Sequence, residues 1–207
     1  PGGRIEGGQV LWDGQDLLQL SENEMRQIRG RHIALIPQEP VTSLNPVLTV
    51  GDQLMESIRL HLGLRGLPKR QLAREMLRLV QIPAAEERLG SYPHEMSGGM
   101  RQRVVGAIAL SCQPRLVLAD EPTSSLDPTI QSQYLKLLRD IQRQTSLSTI
   151  FVTHDFGILT GMCDRVAVMY AGKIVETAPV RRLFEQHRHP YTRALLASVP
   201  PLDRPVK

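Results

Sequence analysis

Cysteine is nearly absent: the 207 residues hold two, Cys112 and Cys163, far apart and with no C-x-x-C pair. That excludes a disulfide scaffold and reads as buried free thiols in a reducing compartment. No stretch approaches roughly 18 consecutive apolar residues, so no segment reads as a membrane span. The 16 glycines show no triplet period, which excludes a collagen-like chain. There is no internal repeat, no low-complexity segment and no secretory signal at the start. The first residue is Pro1 rather than Met, which implies processing or a piece of something longer. Lysine is scarce too: of 25 basic residues 21 are Arg, a pattern read first as coding bias. Net charge is +4 and the pI about 9.4, but no run of five like charges points to nucleic acid or lipid.

What is present is ordinary globular composition, 41% hydrophobic and 22% charged, enough for a buried core. Short β-like runs alternate with amphipathic helices, which argues for an α/β fold with a mostly parallel sheet. Strands are expected at Val10–Trp12, His32–Ile36, Leu116–Ala119, Thr149–Val152, Arg165–Met169 and Lys173–Val175. Glu22–Ile28 reads as a short helix stopped by Gly30. Residues 38–46 form a polar, Pro-containing loop. Beyond it the pattern turns helical to about Leu89, with Leu72, Met76, Leu79 and Val80 on one face. A further helix is expected from Gly99 to Cys112. Asp127 and Pro128 open another, with the stripe Ile130, Tyr134, Leu137, Leu138 and Ile141. We divide the chain into a partial α/β core at 1–42, a helical subdomain at 43–108, returning core at 109–178 and a C-terminal extension at 179–207.

Several groups carry chemistry. Leu116–Ala119 runs into Asp120 and Glu121, two carboxylates at the C-terminal end of a strand, the edge where open α/β sheets bind ligands. One can hold Mg²⁺ through water and the other can polarise an attacking water. Ser97-Gly98-Gly99-Met100 opens a helix, and glycines at a helix N-terminus let backbone N–H groups approach phosphate. His154 follows a strand and can donate to a phosphate oxygen. Gln38 follows another, at the hinge into the helical segment. Each has an ordinary alternative, such as a capped helix or a solvated loop.

Their order and spacing are more specific. Ser97 precedes Asp120 by 23 positions, and His154 follows it by 34. The sequence resembles the ATP-binding cassette (ABC) ATPases over essentially its whole length. The resemblance implies a P-loop NTPase, RecA-like α/β core with an inserted helical subdomain. It implies ATP and Mg²⁺ as cofactors, with Asp120 and Gln38 at the metal and Glu121 as the catalytic carboxylate. His154 would be the switch histidine, and Ser97, Gly98, Gly99 and Met100 the signature that clamps ATP on an opposite cassette. Ser124 to Asp127 would be the D-loop. Tyr92-Pro93-His94-Glu95, Met100-Arg101-Gln102-Arg103 and His189-Pro190-Tyr191-Thr192 look like the dipeptide, oligopeptide and nickel importer branch. Met96, Met100 and Ser125 depart from the general pattern without removing a charge or a phosphate-facing N–H.

That branch implies a second ATPase subunit, membrane permease subunits docking along about Glu39–Met55, and indirectly an extracytoplasmic solute-binding protein. It implies a peripheral place on the cytoplasmic face of the membrane, with no nucleic acid partner. A soluble ABC ATPase acting on nucleic acid or ribosomes would carry coiled-coil or zinc-binding insertions, and none is seen. A non-catalytic cassette that only donates its signature is opposed by intact Glu121 and His154.

The phosphate-binding G-x-x-x-x-G-K-[ST] is missing. The only Gly-Lys pair, Gly172-Lys173, is followed by Ile174. We therefore expect a chain that begins after the P-loop, with the N-terminal part of the core missing. Charge-assisted hydrogen bonds to phosphate contribute roughly 1.5–3 kcal/mol each, so losing the Lys and a few backbone donors removes about 5–10 kcal/mol. Micromolar binding is only about 8 kcal/mol in total. The chain alone is expected to be inactive.

Overall fold

The computed structural model describes residues 3, 5–145 and 147–198, with the backbone only at 40 and 41. The chain forms two compact units, Pro1–Ile150 and Phe151–Lys207. The last residues of the expected C-terminal extension, 199–207, lie outside the described residues.

The first unit opens with a two-residue antiparallel pair, β1 (Leu11–Trp12) and β2 (Gln15–Asp16). Helix α1 (Glu22–Ile28) has the expected bounds because Ser21 and Glu24 cap it reciprocally. Glu24 Oε2 accepts from Ser21 N at 2.8 Å, and Ser21 Oγ accepts from Glu24 N at 3.4 Å. Strand β3 (Ile33–Ile36) starts one residue later than expected, although the His32 carbonyl already accepts from Arg115 and Leu116 N–H beside β4.

The helical stretch resolves into α2 (Pro40–Ser43), α3 (Val50–Leu62), α4 (Gly66–Leu79) and α5 (Ala85–Arg88). Thr49 Oγ1 accepts from Asp52 N at the head of α3, and Gly63, at φ 67°, ends it in the left-handed conformation. The first N–H groups of α3 find acceptors outside the helix: Val50 N donates to Ser91 O and Gly51 N to Leu89 O. On α4 the buried face is Ala73, Met76 and Leu77, with Val80 just beyond. Leu72 and Leu79 of the expected stripe are half-buried. With Leu54 and Ile58 of α3 these fill the helical core, each fully buried Leu or Ile contributing about 1.5–3 kcal/mol.

Helix α6 (Gly98–Leu110) then leads to β4 (Leu116–Asp120), α7 (Pro128–Thr145) and β5 (Ser148–Val152). The sheet order is β3–β4–β5, with β3 and β4 parallel and Ile33 to Ile36 opposite Leu116 to Ala119. Alternation sorts the two faces. Ala34, Ile36, Val117 and Ala119 are buried on one, where α6 packs on β3, while Leu35 on the other is 56% exposed. β4 therefore is not buried on both faces, as its continuous apolar run suggested.

In the second unit, α8 (Phe156–Met162) has no counterpart in the sequence reading; Asp155 caps it by accepting from Gly157 N at 2.8 Å. The hairpin β6 (Arg165–Tyr170) and β7 (Lys173–Pro179) turns at Ala171 and Gly172, whose φ values of 48° and 76° suit a tight two-residue hairpin turn. α9 (Val180–Gln186) and α10 (Pro190–Ser198) follow. Leu159, Val166, Val168, Ala178, Val180 and Leu183 form this unit's core.

Candidate functional site

Parallel pairing of β3 and β4 puts Ile36 beside Ala119, so the residues that follow both strands emerge at one sheet edge. There Gln38 Nε2 donates to Glu121 Oε2 at 3.0 Å. Asp120 ends β4 with its side chain exposed. Glu121 sits at φ 42°, a left-handed conformation costing about 1 kcal/mol for a side-chain-bearing residue. The bend folds the next loop back: Ser124 donates to the Glu121 carbonyl from both N, at 3.2 Å, and Oγ, at 3.1 Å. Asp127 closes the segment by capping α7, its Oδ1 accepting from Thr129 and Ile130 N–H at 3.1 and 3.0 Å. Ser124 and Asp127 thus hold the loop that carries Glu121.

Ser97 caps α6, its Oγ accepting from Met100 N at 3.3 Å, so that N–H and that hydroxyl are engaged with each other. The N–H groups of Gly98 and Gly99 have no acceptor within the helix. The two glycines differ. A Cβ at Gly98 would meet nothing within 4 Å, whereas one at Gly99 would stand 2.7 Å from Ile130 Cγ2. Gly98 leaves open space at the helix start; Gly99 is required by the contact with α7. His154 belongs to the second unit, exposed between Thr153, whose Oγ1 accepts from Asp155 N, and Asp155 itself.

The site suits a hard cation and phosphate. Asp120 and the Gln38 amide oxygen, whose Nε2 partner is the atom turned to Glu121, are oxygen donors of the kind Mg²⁺ takes. Two buried residues drew no attention as a pair in the sequence, Gln102 on α6 and Tyr134 on α7. A glutamine on the apolar face of a helix, three residues from Gly99 and four from Gly106, was the available signal.

The ABC transporter family model matches residues 3–124, and that of the oligopeptide/dipeptide transporter C-terminal region matches residues 175–207. A probable peptide ABC transporter ATP-binding protein of Sinorhizobium fredii is 53% identical over 94% of this chain and 58% of its own length. The oligopeptide transport ATP-binding protein OppD of Bacillus subtilis is 50% identical over 98% of this chain and 57% of its own. The chain thus spans somewhat over half the length of these relatives. Among solved structures, the ATP-binding cassette MJ0796 in a dimeric post-hydrolysis state bound to ADP and Pi superposes with a TM-score of 0.75. It is 27% identical, over 85% of this chain and 75% of that one.

Proposed function

The chain belongs to the ABC transporter family, and from that premise we propose that it serves as the ATP-hydrolysing subunit of a peptide importer. The observation that carries the reading is the meeting of Gln38 and Glu121 beside Asp120 at one sheet edge. Roughly half-identical relatives named for peptide transport, and the match over residues 175–207, support the solute class.

In this reading Glu121 holds and polarises the attacking water, and its carboxylate is aimed by the Gln38 amide and by the loop that Ser124 and Asp127 lock. Asp120 and the Gln38 oxygen would hold Mg²⁺, which when bound neutralises phosphate charge. His154 steadies the terminal phosphate. The Gly98 and Gly99 N–H groups at the start of α6 present positive dipole ends to an ATP carried by a second cassette. Gln38 lies at the base of α2 and α3, so a permease docking near Glu39–Met55 is sensed at the carboxylate. Among the described residues no helix is long and apolar enough to cross a membrane, which suits a subunit held peripherally by its permease.

The test is ATP hydrolysis and peptide uptake by the protein encoded by the whole reading frame, assembled with its permease. Glu121→Gln lowers kcat by about 100-fold or more with KM for MgATP little changed, as loss of a group acting in the transition state does. Uptake falls in parallel. Undiminished turnover in that variant, or uptake indifferent to peptides, overturns the assignment.

A further inference from the structure

Helix α6 meets α7 along one narrow stripe. Gly99, Gln102 and Gly106 share a face of α6, three and seven residues apart. A Cβ at Gly106 would stand 2.8 Å from Tyr134 Oη but 3.7 Å from the ring carbon that bears it, so the hydroxyl alone is in the way. At Gly99 the obstacle is Ile130 Cγ2, one turn earlier on α7. The two helices therefore touch through glycine at both points, and each contact admits one relative placement. Between them Gln102 is 0% exposed and Tyr134 1%. Neither amide atom of Gln102, nor Tyr134 Oη, makes a hydrogen bond of good geometry, although the Gln102 amide lies close enough to the phenol to act on it. Burial pushes the Tyr134 phenol far above its ordinary range, with the Gln102 amide and then Arg103 opposing.

The starts of these helices carry the site. α6 begins with Ser97-Gly98-Gly99. α7 is capped by Asp127, three residues after Ser124, which donates to the Glu121 carbonyl. We propose that Tyr134, seated on Gly106 beside Gln102, is a positioning residue that fixes the signature end of α6 against the D-loop end of α7. The role rests on the functional reading above, in which both ends serve ATP hydrolysis.

The test uses the protein encoded by the whole reading frame with its permease, reading kcat, KM for MgATP and the unfolding midpoint. Gly106→Ala lowers kcat about 10- to 100-fold with KM within about twofold, as a displacement near 1 Å does. Adding Tyr134→Phe removes the one obstructing atom and restores at least about half of the wild-type kcat. The unfolding midpoint separates the role from a general loss of stability: kcat of the single variant is low even well below its midpoint, where the protein is fully folded. A Gly106→Ala variant as fast as wild type overturns the role, and so does a folded double variant as slow as the single one. Should Gly106→Ala fail to fold, Tyr134→Leu decides: slow turnover at a temperature where the variant is fully folded supports the role, unchanged turnover overturns it. A wild type without ATPase activity overturns the functional reading and this role together, whereas an active wild type with an indifferent Gly106→Ala removes the role alone.

Discussion

Gln38 and Glu121, 83 positions apart, are joined by a single hydrogen bond of 3.0 Å at the edge of the parallel sheet. Gln38 is exposed and Glu121 only half-buried, so the bond adds little to stability. Its consequence is directional: it aims a carboxylate whose backbone is already bent to φ 42°. Gln38→Ala should leave the unfolding midpoint within a few degrees while cutting ATP turnover about 10-fold or more. Calorimetry and a steady-state ATPase assay on the same preparation check both halves.

Two glycines should respond oppositely to alanine. At Gly98 the added Cβ meets nothing, so the helix gains about 0.5–1 kcal/mol of stability, yet in the proposed function the methyl group intrudes where phosphate would approach. At Gly51 the Cβ would stand 2.6 Å from the Leu89 carbonyl oxygen, which is backbone and also the acceptor of the Gly51 N–H. Gly98→Ala is thus a stable protein with impaired hydrolysis. Gly51→Ala loses about 1–3 kcal/mol or more by overpacking. Denaturant unfolding curves paired with ATPase rates separate the two.

Local signals reached the sequence well and distant ones did not. Ser21 with Glu24, and Asp127 with Pro128, carry their caps within four residues, so α1 and the start of α7 were legible. α8 was missed because Phe156–Met162 is a single short helix containing two glycines, with no apolar period long enough to recognise. The order of Gln38, Ser97, Asp120 and His154 pointed to the family. Only folding shows that Gly99 is held by Ile130, that Gly98 is open, or that Gln102 faces Tyr134, since each contact joins elements whose separation the sequence leaves free.

Glu176 offers a pH test in the second unit. The Thr192 hydroxyl beside it, and the N–H groups of Arg188 and His189 that donate at 2.8 and 3.1 Å, hold its carboxyl below the usual 4.5. A folded-state pKa lower than the unfolded one means stabilisation that is present above the unfolded value. It is lost as pH falls through the folded value. Glu176→Gln should therefore melt below wild type at pH 7, with the gap closing as pH drops below 4.5. A gap that persists unchanged at pH 2 assigns the loss to packing instead. Thermal melts of both proteins across that range decide it.

Leu35 and Ile150 are 56% and 54% exposed on strands of the same sheet, and the paired Leu118 is only half-buried. A parallel sheet is stable when both faces are covered, and an uncovered one exposes an apolar patch that binds dyes and other chains. The 207-residue chain by itself should bind an apolar-surface dye and self-associate as its concentration rises. Leu35→Gln with Ile150→Thr should reduce both, with little loss of stability, because neither side chain is removed from a packed environment. In the protein encoded by the whole reading frame the same pair tests whether this face is covered. If it is, dye binding is weak from the start and the substitutions cost about 1–3 kcal/mol each, the penalty for placing polar groups in a packed interface.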